Sequence, residues 1–305
     1  MSNLPSGILL LDKQPEMTSF DCIRNLKRIW KRTDLGHGGT LDRFASGMLP
    51  ILVGEGLKLV RFFLESHPTL PTYWKSYAGT FDFGSSTETG DPEGAVLETR
   101  PVTNLTLERV TAAMNTFVGH ATEQMPPRFS AKKINGERAS DLARAGKEPD
   151  LKPVQVTIRS FRCTGIEGNR VHFEADCSKG TYVRSLALDL ARKLDTVAHV
   201  TALRRTAVGD FLIANALTLA QVEAMPMEKS LLNMQQSTQF MPALELIGLE
   251  LQQLRVGKTD GIGARLSNSG LAANVYCAKT STGIPVGLFE LSKDRQVKFL
   301  RGIVD

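Results

Sequence analysis

The sequence predicts an α+β fold in which a mixed body of about 235 residues precedes a small β-rich unit. Stretches with helical spacing and stretches of alternating apolar residues follow one another along the chain, and no internal repeat is present. From about residue 241 onward the composition favours short strands and glycine turns. A length of 305 residues also suits one large domain plus a small one. We therefore expect domains at 1–235 and 240–305.

The first elements are a strand, a helix and a loop. The apolar run Gly7–Leu11 indicates a short buried strand. Thr18 and Ser19 are N-cap candidates for a helix whose apolar residues run from Cys22 to Trp30 at helical spacing. Four glycines and the lack of a regular period predict a loop over 36–47, before the apolar run 48–53.

The remaining elements are predicted from the same two periodicities. The expected strands are 74–83, 154–158, 171–177 and a hairpin at 286–291 and 297–300; the expected helices are 107–117, 183–194 and a short one capped by Thr218 and Gln221; the expected irregular segments are a polar turn at 84–94 and a linker at 225–240. The segment 124–153 is polar, basic and almost without period. It is predicted to be a long excursion from the core, and such excursions are often functional.

Composition limits the classes of function. The hydrophobic fraction is 42% and the charged fraction 23%, as in an ordinary globular protein. No apolar run approaches the roughly 20 residues of a membrane span, and the N-terminus lacks the pattern of a signal peptide. We therefore expect a cytoplasmic protein with free thiols. Its four cysteines form no CxxC pair and its histidines lack metal-ligand spacing, so no metal site is predicted.

Charge favours an anionic partner. The formal net charge is +5, and basic residues cluster within 24–32 and again within 128–147. A nucleic acid is the partner that such clusters fit best, although a solvated basic helix face would give the first cluster equally well.

The segment GHGGTLDRFASGMLP carries the strongest chemical signal. It places Asp42 in a glycine-rich loop just before an apolar strand, where a carboxylate can face a pocket, although turns of this composition are also common. The segment resembles the aspartate motif of the TruB family of tRNA pseudouridine-55 synthases. Four further segments resemble that family in the same order, between residues 7 and 212: GILLLDKQPEMTSFD, KSYAGTFDFGSSTETGDPEG, QMPPRFSAKKINGERASDLARAG, and CSKGTYVRSLALDLARKL with AHVTALRRTAVGDF.

The resemblance implies a fold, a reaction and a set of residues. The fold would be a mixed, mostly antiparallel central sheet with flanking helices, followed by a small PUA-like RNA-binding domain. The reaction would convert uridine 55 in the tRNA T loop to pseudouridine without metal or cofactor. A monomer with no obligate protein partner is the default expectation. The implied residues are the nucleophile Asp42 with its partner Arg184, the base-stacking Tyr77, the pocket residues Tyr182 and Leu203, and the RNA-contacting His37, Lys13, Lys58, Lys133 and Arg144.

The chain departs from the family pattern at several positions. Arg43 stands where the family has proline, and Glu16 where the DKPxG turn has glycine. Phe129, Ser140 and Leu142 replace family aromatics in the excursion, so they affect RNA affinity more than chemistry.

Three other functions stay open from the residues. The first is a non-catalytic RNA-binding or tRNA-folding protein on the same scaffold. The second is a glycosidase, which would need a second acid near Asp42, with Asp12, Glu55 and Asp91 as candidates. The third is a guide-RNA-dependent relative, against which the short β-rich unit and the lack of long basic tails argue.

Overall fold

The structure is a computed structural model that describes residues 4–64 and 74–303. The outer ends of the two predicted domains, residues 1–3 and 304–305, lie outside the described residues. The strands are β1 (Gly7–Lys13), β2 (Leu35–His37), β3 (Ser46–Val53), β4 (Lys75–Phe83), β5 (Ser85–Thr87), β6 (Val96–Thr99), β7 (Ala121–Gln124), β8 (Lys133–Ile134), β9 (Glu137–Arg138), β10 (Val154–Glu167), β11 (Arg170–Cys177), β12 (Ala198–Val208), β13 (Phe211–Leu212), β14 (Leu232–Asn233), β15 (Ala243–Glu245), β16 (Asn274–Lys279), β17 (Pro285–Leu291) and β18 (Val297–Gly302).

The helices are short and lie between the strands. They are α1 (Ser19–Trp30), α2 (Val60–Leu64), α3 (Leu107–Asn115), α4 (Ala139–Arg144), α5 (Val183–Lys193), α6 (Leu219–Glu223), α7 (Met227–Ser230), α8 (Met234–Ser237), α9 (Gly248–Arg255) and α10 (Asp260–Asn268), with 3-10 helices at Gly54–Leu59 and Ile213–Asn215. The predicted cap of α1 is confirmed: the Asp21 backbone N–H donates to Thr18 Oγ1 at 3.0 Å, and the Asp21 side chain accepts from the Thr18 N–H.

One large sheet organises the body. Eight strands follow the order β14-β1-β3-β12-β4-β11-β10-β7, with β2 added to β3 and β13 to β12. Every pairing in this sheet is antiparallel except that of β3 with β12. The predicted mixed, mostly antiparallel sheet is therefore confirmed.

The parallel contact between β3 and β12 depends on a glycine. Gly47 has φ of 104°, and a Cβ on it would lie 2.3 Å from the carbonyl oxygen of Arg205. Only glycine permits both this backbone conformation and this close approach. The contact joins the strand that follows Asp42 to the strand that carries Leu203.

Burial on both faces explains the continuous apolar run of β1. Leu9 and Leu11 belong to the core beneath the helices, whereas Ile8 and Leu10 belong to a second core that includes Cys277 of the C-terminal sheet. Successive side chains of a strand point to opposite faces, so a strand covered on both sides needs apolar residues at every position.

The C-terminal unit is a four-stranded sheet in the order β15-β16-β17-β18. It confirms the predicted β-rich unit and the predicted hairpin, which is β17 and β18. The sequence prediction missed α9 and α10, whose few apolar residues pack on this sheet.

Two irregular segments are more ordered than the sequence predicts. The expected linker 225–240 contains α7, β14 and α8, and β14 pairs with β1. The expected loop 36–47 includes part of β2 and the start of β3, and the turn 84–94 includes β5. These elements are too short to show a periodicity in the sequence. They form because contacts made in the folded chain, such as strand pairing, stabilise them.

Candidate active site

The loop that carries Asp42 is fixed at several points. The Leu41 N–H donates to Ser19 Oγ at 2.9 Å, and Ser19 Oγ donates to the Leu41 carbonyl at 3.3 Å. The fully buried guanidinium of Arg205 donates to the carbonyls of Gly39, Thr40 and Met48 at 3.1, 3.3 and 2.7 Å. These hydrogen bonds therefore fix the backbone on both sides of Asp42.

Asp42 is paired with a buried arginine. Arg184 Nε lies 3.0 Å from Asp42 Oδ2, and Arg184 Nη2 donates to Asp42 Oδ1 at 3.1 Å. The Arg184 side chain is 6% exposed and the Asp42 side chain 35% exposed. One fork thus binds both carboxylate oxygens, which orients the carboxylate while part of it stays accessible.

The rest of the Arg184 guanidinium is also bound. Nη1 donates to the Thr89 carbonyl at 2.7 Å and lies 3.4 Å from Asp91 Oδ2, and Nη2 donates to the Phe129 carbonyl at 2.8 Å. Asp91 in turn accepts from the Thr89 hydroxyl and from the Glu93 N–H. These contacts come from three separate segments, so the position of the arginine is set by the tertiary fold.

Five of the residues expected from the sequence meet in one cavity of about 190 Å³. They are Asp42, Tyr77, Tyr182, Arg184 and Leu203. Tyr77 and Leu203 stand on the neighbouring strands β4 and β12 and are 8% and 7% exposed, and Tyr182 is the N-cap residue of α5. An apolar side chain, two aromatic rings and an oriented carboxylate can bind a flat, polar ring.

Burial also sets the protonation of the two tyrosines. It raises the pKa of Tyr77, with nearby Arg205 opposing the shift, and it raises the pKa of Tyr182 against the effects of Ser130 and Arg184. Both phenols therefore keep their protons in the neutral range.

The excursion 124–153 contributes to the cavity at its start. The Tyr182 N–H donates to Gln124 Oε1 at 2.7 Å, and Ser130 and Ala131 line the cavity. Farther along, Lys133 lies on β8 beside a surface groove of about 550 Å³, and the exposed Arg144 pairs with Asp141 at 3.4 Å. The segment is a hairpin (β8 and β9) and a helix (α4), both at the surface.

Lys13 is buried, whereas an RNA-contacting lysine would be exposed at the surface. It is 1% exposed, and its Nζ donates to the carbonyls of Met17, Gln14 and Arg43 at 2.7, 3.0 and 3.2 Å. Burial lowers its pKa. With its donors directed at carbonyl groups, Lys13 braces the loop next to Asp42 instead of facing a phosphate.

His37 and Lys58 lie outside the cavity. His37 ends β2, and burial followed by Arg205, Lys75 and Arg138 lowers its pKa, so it is neutral at pH 7. Lys58 pairs with Glu55 one turn before it. Both are partly buried.

Sequence reasoning missed two residues of the site, Arg205 and Lys75, and the role of a third, Asp91. Arg205 holds the loop, Lys75 lines the cavity, and Asp91 binds the far side of Arg184. Lys75 and Asp91 fall within one of the quoted segments, but nothing in the sequence distinguished them from solvated charges. Of the acids considered for a glycosidase, Asp12 pairs with Arg204 at 2.7 Å, Glu55 with Lys58, and Asp91 is 3% exposed.

No helix within residues 4–64 and 74–303 is long and apolar enough to cross a membrane. No group of three or more His, Cys, Asp or Glu among the same residues is placed to hold a metal ion.

Comparison with solved structures shows a shared fold. The structure described as "Crystal Structure of a Cbf5-Nop10-Gar1 Complex" matches with a TM-score of 0.69 and 20% identity, covering 98% of this chain and 85% of that one. A second, "Structure of H/ACA RNP bound to a substrate RNA containing 2'-deoxyuridine", matches with a TM-score of 0.65 and 18% identity, over 98% and 84%.

The sequence is similar to those of bacterial proteins named tRNA pseudouridine synthase B. The tRNA pseudouridine synthase B of Aromatoleum aromaticum is 40% identical over 222 residues, which are 73% of this chain and 69% of that one. That of Nitrosococcus oceani is 37% identical over 284 residues, or 91% and 89%. The chain is a tRNA pseudouridine synthase, an isomerase. It matches the models "TruB family pseudouridylate synthase (N terminal domain)" over 27–183 and "tRNA pseudouridylate synthase B C-terminal domain" over 184–241, and it belongs to the TruB family.

Proposed function

We propose that this enzyme converts uridine 55 in the T loop of tRNA to pseudouridine, with Asp42 as the nucleophile. The observation that carries the proposal is the fork from Arg184 to both oxygens of Asp42 at the wall of the cavity. A carboxylate held this way is oriented, as a nucleophile must be.

The cavity supports the rest of the reaction. The uracil must leave its neighbours in the loop to enter, and stacking on Tyr77 replaces part of the lost stacking energy. Leu203 supports the ring from β12, and Tyr182 lies at the start of the helix that carries Arg184. The N1–C1′ bond breaks, the uracil turns, a C5–C1′ bond forms, the C5 proton leaves and N1 takes up a proton. An aspartate can drive this sequence by attack at C1′ of the sugar, in which case the C1′–O bond to the aspartate breaks as C5 attacks C1′. It can also attack C6 of the base, in which case the C6–O bond breaks as the C5 proton leaves and the C5=C6 bond re-forms.

The surface supports tRNA as a ligand of a single chain. Lys133 and Arg144 are exposed on the excursion, where they can meet RNA phosphates. We also include Lys58, on the 3-10 helix that follows β3, and His37, whose Nδ1 accepts from the Gly39 N–H at 3.4 Å, among the RNA-contacting residues. We assign the C-terminal sheet, within residues 240–305, to RNA binding as well. One chain supplies all the cavity groups named above, which supports a monomer acting without a protein partner.

The test uses an unmodified tRNA transcript with neither metal nor cofactor added. Wild-type protein, Asp42→Asn and the exposed control Asp210→Asn are incubated with it, and pseudouridine is mapped by reverse-transcription stops. We expect a stop at position 55 from wild type and the control, none from Asp42→Asn, and none on a transcript with cytidine at position 55.

Two results would count against the proposal. A stop at another uridine would reassign the substrate site, and full activity of Asp42→Asn would remove the nucleophile. If wild type gave no stop but kept tight, salt-sensitive tRNA binding, the non-catalytic RNA-binding function would replace the catalytic one.

A further inference from the structure

Lys75 lines the same cavity as Asp42 and Tyr77. It is the first residue of β4, two positions before Tyr77, so both side chains point to the same face of the sheet. A Cβ placed on Gly39 would lie 3.0 Å from Lys75 Nζ. The amine therefore lies against the loop that leads to Asp42.

The Lys75 amine differs from those of Lys13 and Lys179 in its hydrogen bonding. No hydrogen bond or ion pair joins Lys75 Nζ to another residue in the part of the chain that the structure describes. By contrast, Lys13 donates to three carbonyls, and Lys179 Nζ donates to the Phe62 carbonyl at 3.0 Å. A partly buried amine without a partner has donors left for a ligand.

The surroundings of Lys75 are cationic. Burial, and then the positive charges of Arg205 and Lys179, lower the pKa of Lys75 to about 7. Besides burial, the positive charges of Arg205, Lys75 and Arg138 lower the pKa of His37. The positive region therefore extends from the cavity toward the hairpin of the excursion. Asp42 lines the same cavity, but its carboxylate is held by Arg184. Such a region has a net attraction for an anion.

We propose that Lys75 binds a backbone phosphate of the RNA beside the nucleotide that enters the cavity, an inference that rests on the proposed function. The phosphodiester is the anionic group that every nucleotide carries into the site with its base, whereas the uracil ring is neutral. A lysine binds it as a point charge. The contact would position the sugar relative to Asp42.

The binding experiment is done in an Asp42→Asn background, so that turnover does not affect it. Affinity for unmodified tRNA is measured over a series of salt concentrations for this parent and for Lys75→Met, Lys75→Arg and the exposed control Lys229→Met added to it. We expect Lys75→Met to weaken binding about tenfold at low salt and to reduce the log–log salt slope by about 0.7–0.9, the value for one phosphate. Lys75→Arg and Lys229→Met should keep the slope of the parent.

A second readout is proton uptake. Binding of an anion should protonate an amine that is largely neutral at pH 8. Calorimetric titrations with tRNA at pH 8, in two buffers of different ionisation enthalpy, should show a larger proton uptake by the parent than by its Lys75→Met form. A merely structural lysine would not produce this difference.

Two outcomes would overturn the inference. One is an unchanged salt slope and unchanged proton uptake in Lys75→Met. The other is normal tRNA affinity with no turnover when Lys75→Arg is made in the active enzyme, which would assign proton transfer to the neutral amine. The pseudouridine assay on wild type tests the proposed function separately, so failure of that function is distinguished from failure of the phosphate contact.

Discussion

Replacing Arg184 with methionine tests the logic of the site most directly. The change removes the charge-assisted hydrogen bond from Arg184 Nη2 to Asp42 Oδ1 at 3.1 Å and the ion pair between Arg184 Nε and Asp42 Oδ2 at 3.0 Å, and charged contacts of this kind contribute about 1.5–3 kcal/mol each. If both contribute to holding the nucleophile in the transition state, the loss is about 3–6 kcal/mol. This corresponds to a fall in rate of about 10²- to 10⁴-fold.

The same change should destabilise the fold. It leaves the Asp91 carboxylate, which is 5% exposed at its side chain, without its cation, and it frees the carbonyls of Thr89 and Phe129. Removing one partner of a buried ion pair costs about 3–5 kcal/mol. The free energy of unfolding in urea should fall by that amount.

The assay is the single-turnover release of tritium from tRNA labelled at uracil C5, because the C5 hydrogen leaves when the new bond forms. The matched control is Arg192→Met on the same helix. Arg192 is 73% exposed and pairs with Asp189 at the surface, so its loss should cost well under about 1 kcal/mol and leave the rate unchanged. A folded Arg184→Met protein with a wild-type single-turnover rate would refute the role given to the fork.

Three further predictions follow from the same site. Tyr77→Phe should keep base stacking and most activity, whereas Tyr77→Leu should weaken the productive complex by about 10- to 100-fold; equal single-turnover kinetics of the two variants would contradict stacking. Lys13→Met leaves carbonyls such as that of Arg43 unpaired, so it should lower the free energy of unfolding in urea by about 1–3 kcal/mol. It should not change the salt slope of tRNA binding, and a reduced slope would show that Lys13 contacts a phosphate. Because folding lowers the pKa of Lys75 from 10.5 to about 7, the unfolded chain binds more protons between these values and stability should rise with pH across that window; urea titrations should show this rise in wild type and a smaller one in Lys75→Met.

The sequence predicted most of the fold because its strongest patterns arise from burial. A covered face produces a local hydrophobic pattern, as in the continuous apolar run of β1, the apolar stripe of α1 and the alternation of β11. The hydrophobic patterns of the short strand β14 and of helices α9 and α10 are weaker. Pairing with distant strands or packing on the C-terminal sheet stabilises them more than their own periodicity does.

The residue types of the candidate site were also determined by the sequence. The ordered motifs point to Asp42, Tyr77, Tyr182, Arg184 and Leu203, and the structure brings all five to one cavity. The distances and the remaining partners came only from the tertiary structure. The guanidinium of Arg184 is bound by groups 142, 95 and 55 positions away, and no spacing rule relates them.

Lys13 and Lys75 show how the tertiary structure gives two residues of the same type different environments. Lys13 and Lys75 both precede motif residues and are chemically identical in the unfolded chain. Folding surrounds Lys13 with three carbonyls, one of them 30 positions away, and directs its ammonium inward. It places Lys75 in the cavity, where the charges of Arg205 and Lys179 act on its amine. The type of a side chain fixes which ionisable group it carries, but its available donors and its proton affinity depend on neighbours that only the folded chain brings together.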